Sequence, residues 1–185
     1  MKFTELSLPG LLLIEPDVYR DERGFFLETF NADKYSPYIP EPFIQDNRSV
    51  SGKNILRGLH LQNPNQQGKL VTVTHGEILD VAVDVRVGSP TFGQWHAQTL
   101  TGDNFHQFYI PPGYAHGFCV LSEEVEVQYK CTNTYHPADE LVIIWNDETI
   151  AIDWPLTSPQ LSERDRNGLC LDEVAQQGRL PVYAA

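Results

Sequence analysis

Short runs of alternating apolar and polar residues, cut at close intervals by glycine, proline and asparagine, fill most of this chain and leave little room for helices. Period-2 alternation is the pattern of strands with one face buried. It predicts strands at 11–16, 24–30, 43–51, 55–62, 69–75, 77–86, 95–100, 105–110, 115–120, 125–132 and 141–145. The stretches Thr74-His75-Gly76-Glu77 and Leu100-Thr101-Gly102-Asp103-Asn104 read as tight connections. Many short strands at even spacing point to a sandwich or barrel. Only 31–35 and parts of 161–176 have helical character, and no linker, repeat or low-complexity tract divides the chain. One β-rich domain spanning 1–185, with a less regular C-terminal tail, is the expectation.

Charge and cysteine usage narrow the function classes. A net charge of -12 argues against nonspecific nucleic-acid binding, which needs a basic face to neutralise phosphates. Seven of the 13 basic residues (Arg20, Arg23, Lys34, Arg48, Lys53, Arg57 and Lys69) nevertheless fall between positions 20 and 69. A local cationic site on an acidic protein suits a small anion such as a phosphorylated ligand. Cys119, Cys131 and Cys170 are odd in number and lack CxxC spacing, so buried inert thiols are expected rather than a disulfide framework or zinc site. Pro9, Gly10 and Glu15 interrupt the only apolar N-terminal run, and nothing approaches the roughly 18 apolar residues of a membrane span. A cytoplasmic protein is expected.

The residues with chemical potential lie within the strand-like runs. In QDNRSVSGKNILRGLHLQ (45 to 62), strict alternation puts Leu56, Gly58, His60 and Gln62 on one face, and Ile55, Arg57, Leu59 and Leu61 on the other. Arg57 and His60 can share a pocket only if a bulge intervenes, and Gly58 is where one would form. A second histidine, His116, lies in the IPPGYAHG run. Two imidazoles inside a barrel could do acid/base work near neutral pH. Asp80 lies on the face of Ile78 and Ala82, where an unpaired carboxylate is costly, so it should meet a cation or a histidine, with Lys69 as a candidate. Asp84 and Arg86 fit edge charges facing water. Tyr129 alternates onto the apolar face of Val125, Val127 and Cys131, where its hydroxyl could donate a proton. Asp165, in the tail, could orient a histidine.

The segments RDERGFFLETF (20 to 30), QDNRSVSGKNILRGLHLQ (45 to 62), GKLVTVTHGEILDVAVDVRVGSPTFGQW (68 to 95), YIPPGYAHGFCVLSEEVEVQYKCTNTY (109 to 135), IIWNDETIAIDWP (143 to 155) and LSERD (161 to 165) together resemble the dTDP-4-dehydrorhamnose 3,5-epimerase family. The resemblance covers nearly the whole chain, in order. It implies an all-β cupin-type jelly roll (double-stranded β-helix) with short helical segments, and a homodimer that exchanges N-terminal strands. The implied reaction converts dTDP-4-dehydro-6-deoxy-D-glucose to dTDP-4-dehydro-L-rhamnose without a cofactor or metal. Enzymes that invert only C3 or only C5 share the same catalytic set.

The resemblance also implies residue roles. His60 would be the base, Asp165 would orient it, Tyr129 would reprotonate from the opposite face, and Lys69, held charged by Asp80, would stabilise the enolate oxygen. Arg57 is expected near the sugar or diphosphate, and His116 in the pocket wall. Arg23, Glu28, Gln45 and Asn47 match nucleotide-gripping positions, with Tyr19 as an aromatic platform. Tyr19, Arg23 and Glu28 would serve the neighbouring subunit if strands exchange. Thr134 replaces the first of two adjacent aromatics, while Tyr135 remains as a substrate contact. The competing classes are a metal-dependent cupin and a noncatalytic sugar-nucleotide binder. The first normally carries His-x-His where this chain has His60-Leu61-Gln62. The second leaves His60, Lys69, Tyr129 and Asp165 unexplained.

Overall fold

The computed structural model describes residues 1–184, which form two facing antiparallel sheets and one separate hairpin. The first sheet runs β1 (Lys2–Glu5), β2 (Leu12–Glu15), β10 (Gln107–Ile110), β7 (Lys69–His75), β12 (Glu124–Cys131) and β5 (Gln45–Gly52). The second runs β13 (Glu140–Val142), β6 (Leu56–Gln62), β11 (Tyr114–Val120), β8 (Glu77–Asp84) and β9 (Trp95–Thr101). Strands β3 (Val18–Asp21) and β4 (Gly24–Leu27) pair only with each other. The architecture is the jelly roll expected for the chain.

Alternation sorts the side chains into three layers. Val71, Val73, Ile78, Ala82, Phe118 and Val127 meet between the sheets. The odd residues of β8, Val81 and Val83, face outward with Leu59 and Leu61, where the tail covers them with Trp154, Leu171 and Val174. The outer face of the first sheet packs Leu12, Ile14 and Leu70 under Tyr35 and Ile39, which belong to and follow helix α1 (Ala32–Tyr35). Strand β8 is therefore covered on both faces, which is why its sequence is almost continuously apolar.

The bulge anticipated at Gly58 is present. His116 opposes His60 and Phe118 opposes Arg57, so two steps along β11 match three along β6. Leu56, Leu59 and Leu61 consequently share one core while Arg57 and His60 both line a cleft on the other side. Gly58 adopts φ +119°, and a Cβ there would lie 2.6 Å from Gly117 Cα. A Cβ on Gly117 would in turn lie 2.7 Å from the Arg57 carbonyl oxygen, so both strands need glycine at this crossing.

Several expectations are corrected. Asp84 is not an edge charge. It is fully buried and accepts hydrogen bonds from Arg86 Nε (2.9 Å), Ser89 Oγ (2.6 Å) and Thr91 Oγ1 (2.6 Å), while Arg86 lies over the rings of Tyr114 and Tyr183. Burial pushes the Asp84 carboxyl up, but these donors outweigh it and hold it below the usual carboxylate range. Strands β1 and β3 and a one-turn 3₁₀ helix at Pro137–Asp139 are additional to those predicted. Strand β13 stops at Val142, short of Trp145, whose carbonyl instead accepts from Trp154 Nε1. Cys119 and Cys131 are buried free thiols, but Cys170 is exposed. The tail's helices are α2 (Glu163–Arg166) and α3 (Leu171–Gln176). Among the described residues, no helix is long and apolar enough to cross a membrane.

Gly58→Ala is expected to destabilise the fold by roughly 2–4 kcal/mol, since it adds a methyl against backbone at a φ that L residues avoid. Urea unfolding measures this, and a loss under about 0.5 kcal/mol would contradict the close-packed crossing.

Candidate active site

The cleft at the bulge has a volume of about 330 Å³ and opens between the two sheets. From β6 it receives Arg57 and His60, from β11 His116, from β7 Lys69, from β12 Tyr129, and from β5 Gln45 and Asn47. Tyr135 stands at its mouth. Eight of the residues singled out from sequence are thus brought to one place, although their positions range from 45 to 135.

His60 Nε2 lies 2.5 Å from Asp165 Oδ1. Asp165 is 2% exposed and sits on α2, whose N-cap Ser162 accepts from the Asp165 backbone N–H through its hydroxyl. Burial raises the Asp165 carboxyl, but the hydrogen bond and charge of His60, the Ser162 bond and Arg164 together hold it below the ordinary range. A carboxylate on Nε2 keeps the proton of a neutral imidazole there and leaves Nδ1 as the basic nitrogen. That is the arrangement a general base requires.

Of the two partner types expected for Asp80, a histidine takes it and Lys69 does not. Asp80 Oδ1 lies 2.6 Å from His116 Nε2, and no ion pair joins it to Lys69. The register explains this: β11 lies directly beside β8, with Phe118 opposite Asp80, whereas Lys69 belongs to the facing sheet. Burial pulls both Lys69 and His116 below their ordinary values, and Asp80 opposes the shift in each. Asp80 thus acts on Lys69 across space and on His116 by contact. Tyr129 is raised by burial, so its phenol stays protonated and can donate. Arg57 is steadied through Nε by Ser51 Oγ at 3.0 Å.

The basic run between 20 and 69 does not form one patch. Arg23, Lys34, Arg48 and Lys53 pair with Asp21, Glu28, Glu126 and Glu123 respectively, away from the cleft, and only Arg57 and Lys69 of the set line it. Tyr19 and Arg23 lie on the β3–β4 hairpin and Glu28 just beyond it, where Glu28 also accepts from Asn31. Within the chain these three are not part of the cleft.

Sequence reasoning passed over Glu140, Arg164, Gln62 and Gln67, all of which line the cleft. Glu140 accepts from the Tyr135 hydroxyl at 2.9 Å and pairs with Arg164. Arg164 was visible in LSERD beside Asp165, whereas Glu140 sits in a stretch with no distinguishing pattern. Among the described residues, no group of three or more His, Cys, Asp and Glu side chains is arranged to hold a metal ion.

Because Asp165 is depressed in the folded state, its contribution to stability is fully present above the unfolded value of about 3.9 and is lost as pH falls through the folded value. The unfolding free-energy gap between the parent and Asp165→Asn is therefore expected to shrink on acidification below about pH 4. Denaturant titrations at several pH values measure it, and a gap that widens would contradict the pairing.

A histidine–carboxylate base facing a tyrosine across a cationic cleft is a chemical reading, and comparison with known proteins tests its lineage. The family model described as dTDP-4-dehydrorhamnose 3,5-epimerase matches residues 5–173. The enzyme of that name from Pseudomonas aeruginosa is 51% identical over 171 residues, covering 91% of this chain and 94% of its own. The Neisseria gonorrhoeae protein of the same name is 52% identical over 170 residues, 91% of this chain, which spans about half (52%) of that longer relative. The crystal structure of a dTDP-6-deoxy-D-glucose-3,5-epimerase from Legionella pneumophila, in complex with dTDP-4-keto-L-rhamnose, superposes with a TM-score of 0.96 at 49% identity, covering 100% of this chain and 99% of that one. Fold, cleft and ancestry agree, and the chain belongs to the dTDP-4-dehydrorhamnose 3,5-epimerase family.

Proposed function

We propose that this protein is a carbohydrate epimerase that converts dTDP-4-dehydro-6-deoxy-D-glucose to dTDP-4-dehydro-L-rhamnose. The observation that carries the proposal is the His60–Asp165 pair beside Tyr129 in one cleft, within a chain about half identical to 3,5-epimerases over nearly its whole length.

The substrate's C3 and C5 hydrogens flank the C4 ketone, so removing either one gives an enolate. His60, through Nδ1, takes the proton, and the imidazolium formed is stabilised by Asp165 on the other nitrogen. Negative charge gathers on the C4 oxygen, where Lys69 is the donor at hand. Tyr129 returns a proton from the opposite face, and the carbon is inverted. Each inversion removes one proton and adds one, so electrons balance with no oxidant or reductant. Arg57 is suited to the diphosphate by its planar donor fork. Asn47 and Tyr135 lie at the end of the cleft where the nucleotide would rest, with Gln45 beside them.

Tyr19, Arg23 and Glu28 enter the account through a second subunit. The β3–β4 hairpin pairs with no other strand and exposes Tyr19 (65%), Phe25 (55%) and Phe26 (69%). Exposed aromatics on an unpaired hairpin favour a homodimer in which this element reaches the partner's site. The protein would act in the cytoplasm as a single domain over 1–185.

His60→Ala is expected to lower deuterium exchange at both carbons by at least about 10²-fold while dTDP still binds. Tyr129→Phe should retain part of the exchange but lose inversion. Both are read by NMR of dTDP-4-dehydro-6-deoxyglucose in heavy water. Turnover retained by the first variant would remove His60 as the base, and an unimpaired second variant would remove Tyr129 as the acid.

A further inference from the structure

Residues 133–136 link β12 to the 3₁₀ turn and carry Tyr135 at the mouth of the cleft. Thr134 and Tyr135 are themselves exposed, so packing of their side chains does not hold this loop. Three amide side chains hold its backbone instead. Gln45 Oε1 accepts from the Tyr135 N–H at 2.8 Å, and Gln67 Nε2 donates to the Asn133 carbonyl at 2.8 Å. Gln62 grips both sides of Tyr135: its Nε2 donates to the Thr134 carbonyl at 3.2 Å, and its Oε1 accepts from the His136 N–H at 2.9 Å.

Both N–H donors of Gln62 Nε2 are used, because it also donates to the Asn65 carbonyl at 2.7 Å. It is 5% exposed, so a lost partner would leave a buried group unsatisfied. It also ends the strand that bears His60, two residues away. The proton-abstracting base and the loop carrying Tyr135 are therefore tied to the same stretch of β6. The loop's side of this link is made through backbone atoms alone.

We infer that Gln62 is a positioning residue for nucleotide binding, fixing Tyr135 against the substrate through the 133–136 backbone and taking no part in proton transfer. The inference rests on the reading of Tyr135 as a substrate contact. Gln62→Leu keeps much of the side chain's bulk and removes both ends of the grip. It is expected to weaken dTDP binding by calorimetry, and to raise KM, each about tenfold, with kcat within about twofold. Gln67→Leu, at a less buried position, should move the same quantities in the same direction and guards against a folding defect at Gln62. Tyr135→Ala should weaken dTDP binding alone, and adding it to Gln62→Leu should cost little more, because both act through one contact. Unchanged dTDP affinity in both glutamine variants, or fully additive losses with Tyr135→Ala, would overturn the inference while leaving the substrate contact standing. Unchanged affinity in Tyr135→Ala alone would remove that contact, and the role of Gln62 with it.

Discussion

At the crossing of β6 and β11, Gly58 and Gly117 bring two backbones closer than any side chain would permit. The extra residue absorbed there changes the parity of β6, and the whole site depends on that change. Without it, His60 and Arg57 would point to opposite faces, one of them into the apolar core under the C-terminal tail. With it, Leu56, Leu59 and Leu61 anchor the strand to that core while Arg57 and His60 face the cleft. A packing requirement and a catalytic requirement are met by one irregularity, and the glycines are what make it sterically possible.

The electrostatics of the cleft follow from what the barrel buries. Two imidazoles on neighbouring strands are each bound through Nε2 to a carboxylate, His60 to Asp165 and His116 to Asp80. The pairs differ in origin: Asp80 comes from the adjacent strand β8, Asp165 from a short helix in the tail. His60 is the more exposed of the two imidazoles, whereas His116 is 7% exposed and set into the wall. Lys69, lowered by burial and without a contacting carboxylate, is left to interact with negative charge that develops on a bound molecule. In the proposed function the base, the acid and the cationic centre all stand on strands, while the loop bearing Tyr135 is held by Gln45, Gln62 and Gln67.

Much of this was legible in the chain because strand periodicity is a local property. Strand β7 has the bounds predicted for it, Tyr129 faces inward with Val125 and Val127, and the parity conflict itself located the bulge at Gly58. What escaped was nonlocal. Asp80 could be assigned a partner type but not the partner, since choosing His116 over Lys69 requires knowing that β8 lies beside β11. Asp84 seemed an edge charge because its donors, Ser89 and Thr91, come from a turn with no pattern of its own. The basic residues from 23 to 53 cluster in sequence but disperse in space onto separate ion pairs. Gln62 and Gln67 act on loop backbone groups, and Glu140 meets the Tyr135 hydroxyl and Arg164, contacts that leave no periodic trace. Asp165 was identified by family resemblance rather than by spacing, being 105 residues from His60.

In the proposed function, Asp165 holds His60 in the tautomer that presents a free Nδ1 to the substrate. Nitrogen NMR of the imidazole in the resting enzyme tests it directly, because protonated and unprotonated ring nitrogens resonate far apart. The expected result is a proton on His60 Nε2 and an unprotonated Nδ1. A proton on Nδ1 instead would leave no lone pair facing the substrate and would contradict the assignment of His60 as the base.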